Sequence, residues 1–196
     1  MKLYGTTTSP FVRRVRIVAT EIGAHVELIN TATDDGQALL RKVTPIWKVP
    51  VAEVDGRVLF DSRVIIDWLT TTRGWGRLAP PHDRWAQANL LSAIDGALDS
   101  AIQVFYLRRE SLATAELPFA KKQHDRITAI FDWLGGELAA GRFGHEAGLA
   151  EISLVCTLDW MEFRETYPVA SLAGRFDGVR AHLAARDSFV ATRPHT

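Results

Sequence analysis

The chain has one cysteine, no net charge and no long unbroken apolar run, and each shortage removes a class of protein. A lone Cys156 among 196 residues excludes an internal disulfide framework and any Cys-x-x-Cys redox pair. Set in the apolar run Ile152–Phe163, it reads as a small buried hydrophobe. Lysine plus arginine total 23 and aspartate plus glutamate 23, so wholesale attraction to nucleic acid or an anionic membrane is not expected. No stretch is apolar for the roughly 20 residues that span a bilayer, and the N-terminus lacks the apolar core of a signal peptide. Internal repeats and low-complexity segments are absent too. The expected setting is a reducing cytoplasm, with neither membrane nor nucleic acid as partner. Arg13, Arg14 and Arg16 form a local basic cluster that reads as a solvated helix face.

The length suits one large domain or two small ones with a real core, and the pattern changes part-way along. Up to about Thr72, strand and helix signals alternate. Lys2–Gly5 is a strand, Pro10–Ile22 a helix, Val26–Ile29 a strand and Gly36–Val43 a short helix stopped by Thr44-Pro45. Val49–Val54 and Arg57–Phe60 flank Asp55-Gly56, a tight-hairpin signal, and Ser62–Thr72 closes the segment as a helix. The order βαβαββα implies a small mixed sheet. Gly74-Trp75-Gly76 through Pro80-Pro81 reads as a linker. Beyond it the chain is all helical: Leu91, Ile94, Leu98, Ile102 and Phe105 mark one helix face, and Ile127, Phe131, Leu134 and Leu138 another. Leu149–Phe163 is apolar on several sides and is expected to be the most buried helix. From Gly174 a further helix runs through Val179 and Leu183, followed by an undefined tail. The division is 1–75, a linker 76–83, and a helical domain 84–196.

Four features of the first half can carry chemistry. Ser9 is a good N-cap and Pro10 suits the first helical position, so a hydroxyl sits on an electropositive helix end able to hold an anion such as a thiolate. Val49-Pro50 opens the hairpin. A cis bond there would leave the Val49 backbone free to pair with an extended ligand, and a trans edge proline is the alternative. Asp61-Ser62 starts a second helix, either as plain caps or as a site for a carboxylate and an ammonium group. Lys48 either neutralises a ligand carboxylate or is simply solvated.

In order and spacing these features, with the all-helical second half, resemble the cytosolic glutathione S-transferase superfamily. The likeness is nearest to serine-type bacterial members, with a tau-like Thr8–Ile17. Lys48–Val51, Leu59–Ser62 and Ala150–Phe163 carry the rest of it. The resemblance implies a thioredoxin-like domain followed by an all-α helical bundle, with glutathione as co-substrate and no metal. It implies that Ser9 donates a hydrogen bond to the glutathione sulfur, with Thr8 and Tyr4 as fallbacks, Tyr4 reading first as a strand residue that faces the core. It further implies that Val49, before a cis Pro50, pairs with the cysteinyl backbone, that Asp61 and Ser62 hold the γ-glutamyl end, and that Lys48 approaches the glycine carboxylate. Phe11, Phe105, Tyr106 and Arg109 would line an electrophile pocket between the domains. A homodimer is implied as well, with Asp95 or Asp99 approaching the partner's ligand.

The expected activity is conjugation of glutathione to small electrophiles, a detoxifying reaction. A non-catalytic module of the same fold, binding ligands or a protein partner, is the alternative. Two positions depart from the family pattern. Trp47 stands where a small residue is common. Gly148 stands at a helix cap usually filled by Ser or Thr, with Glu151 expected to reach back to the cap N–H.

Overall fold

In the computed structural model residues 1–194 are described, and their contacts divide into two compact units. The first comprises Met1–Ala79 together with the segment from Ala184, and the second Pro80–Leu183.

The first unit is built on a four-stranded sheet of β1 (Lys2–Gly5), β2 (Glu27–Asn30), β3 (Val51–Val54) and β4 (Arg57–Leu59). Their spatial order is β2-β1-β3-β4, with β1 parallel to β2 and antiparallel to β3. Helices α1 (Pro10–Ile22), α2 (Asp34–Val43) and α3 (Ser62–Arg73) complete the βαβαββα order. Alternation along β1 sends Leu3 and Tyr4 to opposite faces. Tyr4 packs with Leu40 of α2 and Val51 of β3. Residues Asp55 and Gly56 both have positive φ (48° and 73°), the backbone of the tight turn that Asp-Gly favours.

Several boundaries differ from expectation; β2, β4 and α3 shift by a single residue, and two larger shifts have a local cause. Helix α2 starts two residues early because Thr33 caps it, its side chain accepting from Gly36 N at 3.1 Å. Strand β3 starts at Val51 rather than Val49, since Pro50 has no N–H for the ladder.

The tail after Ala184 is more ordered than the sequence indicates. It holds α8 (Asp187–Val190), which packs against α1 within the first unit. The sequence reading placed this segment with the helical half. Glu21 of α1 ties it down. Its carboxylate, 0% exposed, accepts from Arg186 Nε at 3.1 Å and Arg186 Nη2 at 2.5 Å, and also from Ser188 Oγ. Arg77 Nε lies 3.1 Å away. Burial alone pushes this carboxyl up. The hydrogen bonds from Arg186 and Ser188 and the charges of Arg186 and Arg77 outweigh burial and hold its pKa below the ordinary value.

The second unit holds α4 (Arg84–Arg109), α5 (Pro118–Ala139), α6 (Leu149–Phe163) and α7 (Asp177–Ala184). Helix α6 is the most buried, as its composition implies, and Cys156 is 1% exposed within it. In α4 the buried stripe is Leu90, Ile94, Ala97, Leu98, Ala101 and Val104; Leu91, Ile102 and Phe105 lie half-buried at its edge. The small Ala97 and Ala101 sit in the helix core where the sequence reading placed the larger side chains. By length and composition α4 is apolar enough to cross a bilayer, contrary to the sequence reading; here its apolar side packs against α5 and α6. Gly148 caps α6 with no side-chain bond. Glu151 does not reach back to it. Its Oε1 accepts from Gly144 N at 2.6 Å, so the carboxylate fastens the preceding loop to the helix.

Candidate functional site

Strand β1 ends at Gly5, and a short loop delivers Ser9 to the start of α1. Ser9 is the N-cap, with extended backbone, and its Oγ accepts from Val12 N at 3.3 Å. That bond uses a lone pair and leaves the hydroxyl proton to donate. No acidic residue occupies the first turn of α1, so nothing there neutralises the positive end of the helix dipole.

Sheet topology brings the other candidates to the same end. Val51 of β3 stands opposite Tyr4 of β1 in antiparallel register, so Val49-Pro50 enters beside the C-terminal end of β1. The Val49–Pro50 bond is cis. Leu59 of β4 pairs with Ala52, so the chain leaves β4 at that edge too, through a second cis bond between Phe60 and Asp61 that no residue pattern announces.

Asp61 caps α3, its Oδ1 accepting from Arg63 N at 2.8 Å and Val64 N at 3.4 Å. The Ser62 hydroxyl, in a residue 1% exposed, accepts from Arg14 Nε at 3.1 Å and Nη2 at 2.7 Å. Both its lone pairs are thereby engaged, and its proton remains available to donate. The guanidinium of Arg14 also stands 4.9 Å over the Phe11 ring. One buried arginine therefore spans the starts of α1 and α3.

This overturns the reading of Arg13 and Arg14 as a solvated face, since each is 3% exposed. Helix α1 is covered by neighbours on more than one side, and Arg13 lies 5.8 Å from the Phe189 ring centre of α8. A signal was present in the spacing. Arg14, Ile17, Val18 and Glu21 recur at three- and four-residue steps, which puts both charges on a buried stripe.

Lys48 is exposed. Its neighbour Trp47 has φ 49°, is 61% exposed and lies under the Arg41 guanidinium at 5.2 Å. A left-handed backbone costs a non-glycine residue about 1–2 kcal/mol, a backbone reason for the small residue that the resemblance implies here, which Trp47 overrides. Of the fallback donors, Tyr4 OH donates to Glu53 Oε1 at 3.0 Å and the ring faces the core at 5% exposure. Thr8 Oγ1 lies 3.3 Å from Thr6 Oγ1.

In the second unit Phe105, Tyr106 and Arg109 do come together. The Phe105 and Tyr106 rings meet edge-on at 5.6 Å, and the Arg109 guanidinium lies 5.9 and 6.0 Å from their centres. Phe11 belongs to the first unit. Asp95 is half-buried on α4 and Asp99 exposed.

Residues 3–77 match the model of the glutathione S-transferase N-terminal domain, and residues 86–185 that of the C-terminal domain. The chain belongs to the glutathione S-transferase family. It is 27% identical over 200 residues to the uncharacterized GST-like protein YibF of Escherichia coli (strain K12), covering 99% of this chain and 98% of that one. A probable glutathione S-transferase of Nicotiana tabacum is 25% identical, over 85% of this chain and 74% of its own length. Among solved structures, a glutathione transferase family member from Pseudomonas fluorescens Pf-5 with bound glutathione superposes with a TM-score of 0.82. It is 28% identical and covers 100% of this chain and 99% of its own. The thioredoxin-like first half and all-helical second half of a glutathione S-transferase are thus both present.

Proposed function

We propose that this glutathione S-transferase family member binds glutathione at the sheet end carrying Ser9 and uses the Ser9 hydroxyl to stabilise the thiolate for attack on a small electrophile. The observation that carries this reading is the Ser9 cap, whose Oγ accepts from Val12 N and keeps its proton, at the same end of the sheet as Val49-Pro50 and Asp61. A free thiol has a pKa of about 8.5 and is mostly protonated at neutral pH. A hydroxyl donor and a helix N-terminus both favour the anion. In the reaction the sulfur forms a bond to the electrophilic carbon, the leaving group departs with its bonding electrons, and the thiol proton passes to solvent.

In this proposal Val49 pairs with the cysteinyl backbone, Asp61 and Ser62 hold the γ-glutamyl end, and Lys48 meets the glycine carboxylate. The bound glutathione of the Pseudomonas relative supports the ligand. The same proposal makes the protein a cytoplasmic homodimer acting in detoxification. Sedimentation tests the dimer and cell fractionation the location.

The decisive experiment combines retention on immobilised glutathione with turnover of 1-chloro-2,4-dinitrobenzene by wild type and Ser9→Ala. Retention with turnover that drops in the variant supports the assignment; turnover at full rate in the variant removes Ser9 from it. Trp47, bulky beside Lys48, favours a second reading as a non-catalytic glutathione-binding module, for which retention without turnover is the expected result.

A further inference from the structure

Of the eight arginines of the helical unit three pair with carboxylates, while Arg84 lies over Trp85 and Arg108 and Arg126 bond neutral groups. Arg175 reaches Asp132 at 2.9 Å, Arg180 reaches Asp159 at 2.8 Å and Glu162 at 2.5 Å, and Arg142 pairs with Glu137. Arg109 and Arg164 reach no carboxylate among the described residues. Both instead stack about one ring, Phe105, with guanidinium-to-centroid distances of 5.9 and 5.2 Å. Arg164 also covers Phe163 at 4.5 Å. Trp160 meets Phe105 edge-on at 5.6 Å, and Tyr106 extends the aromatic surface at 55% exposure.

Arg109 ends α4 and Arg164 follows α6, so each also sits where a helix C-terminus attracts a cation. Helix ends account for the presence of two cations. They do not account for both standing on the same aromatic platform, while Asp159 and Glu162 of α6 are committed to Arg180 and the adjacent Glu110 and Glu165, both exposed, pair with neither. Planar guanidinium groups that keep their in-plane N–H donors while stacking on rings suit a planar anion such as a carboxylate.

From this arrangement we infer that the platform binds small aromatic anions such as benzoates, with Arg109 and Arg164 anchoring the anionic group. The binding lies within the helical unit and involves no bond making.

One measurement on the full chain tests this: calorimetric binding of 3,5-dinitrobenzoate and 1,3-dinitrobenzene, without glutathione, to wild type, Arg109→Gln and Arg164→Gln. Binding of the benzoate that is tighter than that of dinitrobenzene, weakened about tenfold by either glutamine variant and reduced by salt, supports the inference. Equal affinity for the two compounds leaves the arginines as helix-end cations and sinks it.

Discussion

On α1 of the first unit Arg13, Arg14 and Glu21 are each at most 3% exposed, whereas the arginines of the helical unit that pair with carboxylates, Arg142, Arg175 and Arg180, lie at or near the surface. The second unit is instead filled with Ile94, Ile127, Phe131 and Leu154, all fully buried. Apolar contact is non-directional and tolerates small displacements. Hydrogen-bonded ion clusters do not, because their strength depends on angle and distance. In the proposed function α1 has to aim its N-terminus and Ser9, and Arg14 and Glu21 tie it down with directional bonds. A bundle wall has no such requirement, and packing suffices.

Four changes would break or sharpen this contrast. The largest stability effect is expected for Phe131→Ala, which removes a ring packed against Tyr167 and Phe176 at 5.7 and 5.8 Å. About 3–5 kcal/mol should be lost in denaturant unfolding. A loss below about 1 kcal/mol would contradict a packing-built second unit.

Next comes Glu21→Gln, expected to cost about 3 kcal/mol because Arg186 is left without its buried counter-charge. Its sign with pH is specific. A carboxyl whose folded pKa is depressed from 4.5 contributes stability that is fully present above the unfolded value and lost as pH falls through the folded one. The wild type should therefore lose stability on acidification through that window, and the variant should show a flatter acid limb. Parallel limbs would remove Glu21 from the clasp.

Smaller again is Arg14→Met, which keeps the apolar stem but strips both donors from Ser62 Oγ. About 1–3 kcal/mol is expected, together with weaker retention on immobilised glutathione. Unchanged retention would mean that Arg14 serves stability alone.

The smallest stability effect, about 1 kcal/mol, is that of Ser9→Ala. Its effect on turnover should run the other way. Losing one to two pKa units of thiolate stabilisation, at roughly 1.4 kcal/mol each, gives a fall of about 10- to 100-fold at neutral pH. An activity loss that merely tracks the melting temperature would reduce Ser9 to a cap.

Much of this was legible in local pattern. The alternating strands, the Asp-Gly hairpin, the Ser9-Pro10 and Asp61 helix starts and the apolar α6 all depend on a few adjacent residues, and all are present. The positions that misled share a different cause. Arg13 and Arg14 look solvated because arginine usually is, and only the neighbours covering α1 turn them inward. Glu151 looks like half of a capping box, yet a loop N–H seven residues earlier competes for it and takes it. The tail after Ala184 carries too little apolar pattern to announce a helix, and α8 is held by Glu21, more than 160 residues away in sequence.

The amino-acid order by itself determined where strands, turns and helix caps fall, because those rest on backbone preferences and bonds within a turn or two. It also determined which hydroxyl sits on the first helix end. Tertiary structure alone decided that Ser9, Val49-Pro50 and Asp61 share one end of the sheet and that Arg14 joins two helix starts. It likewise decided that Arg109 and Arg164 meet over one ring. These are contacts between segments far apart in the chain, and their existence depends on strand register and helix packing that no local pattern encodes.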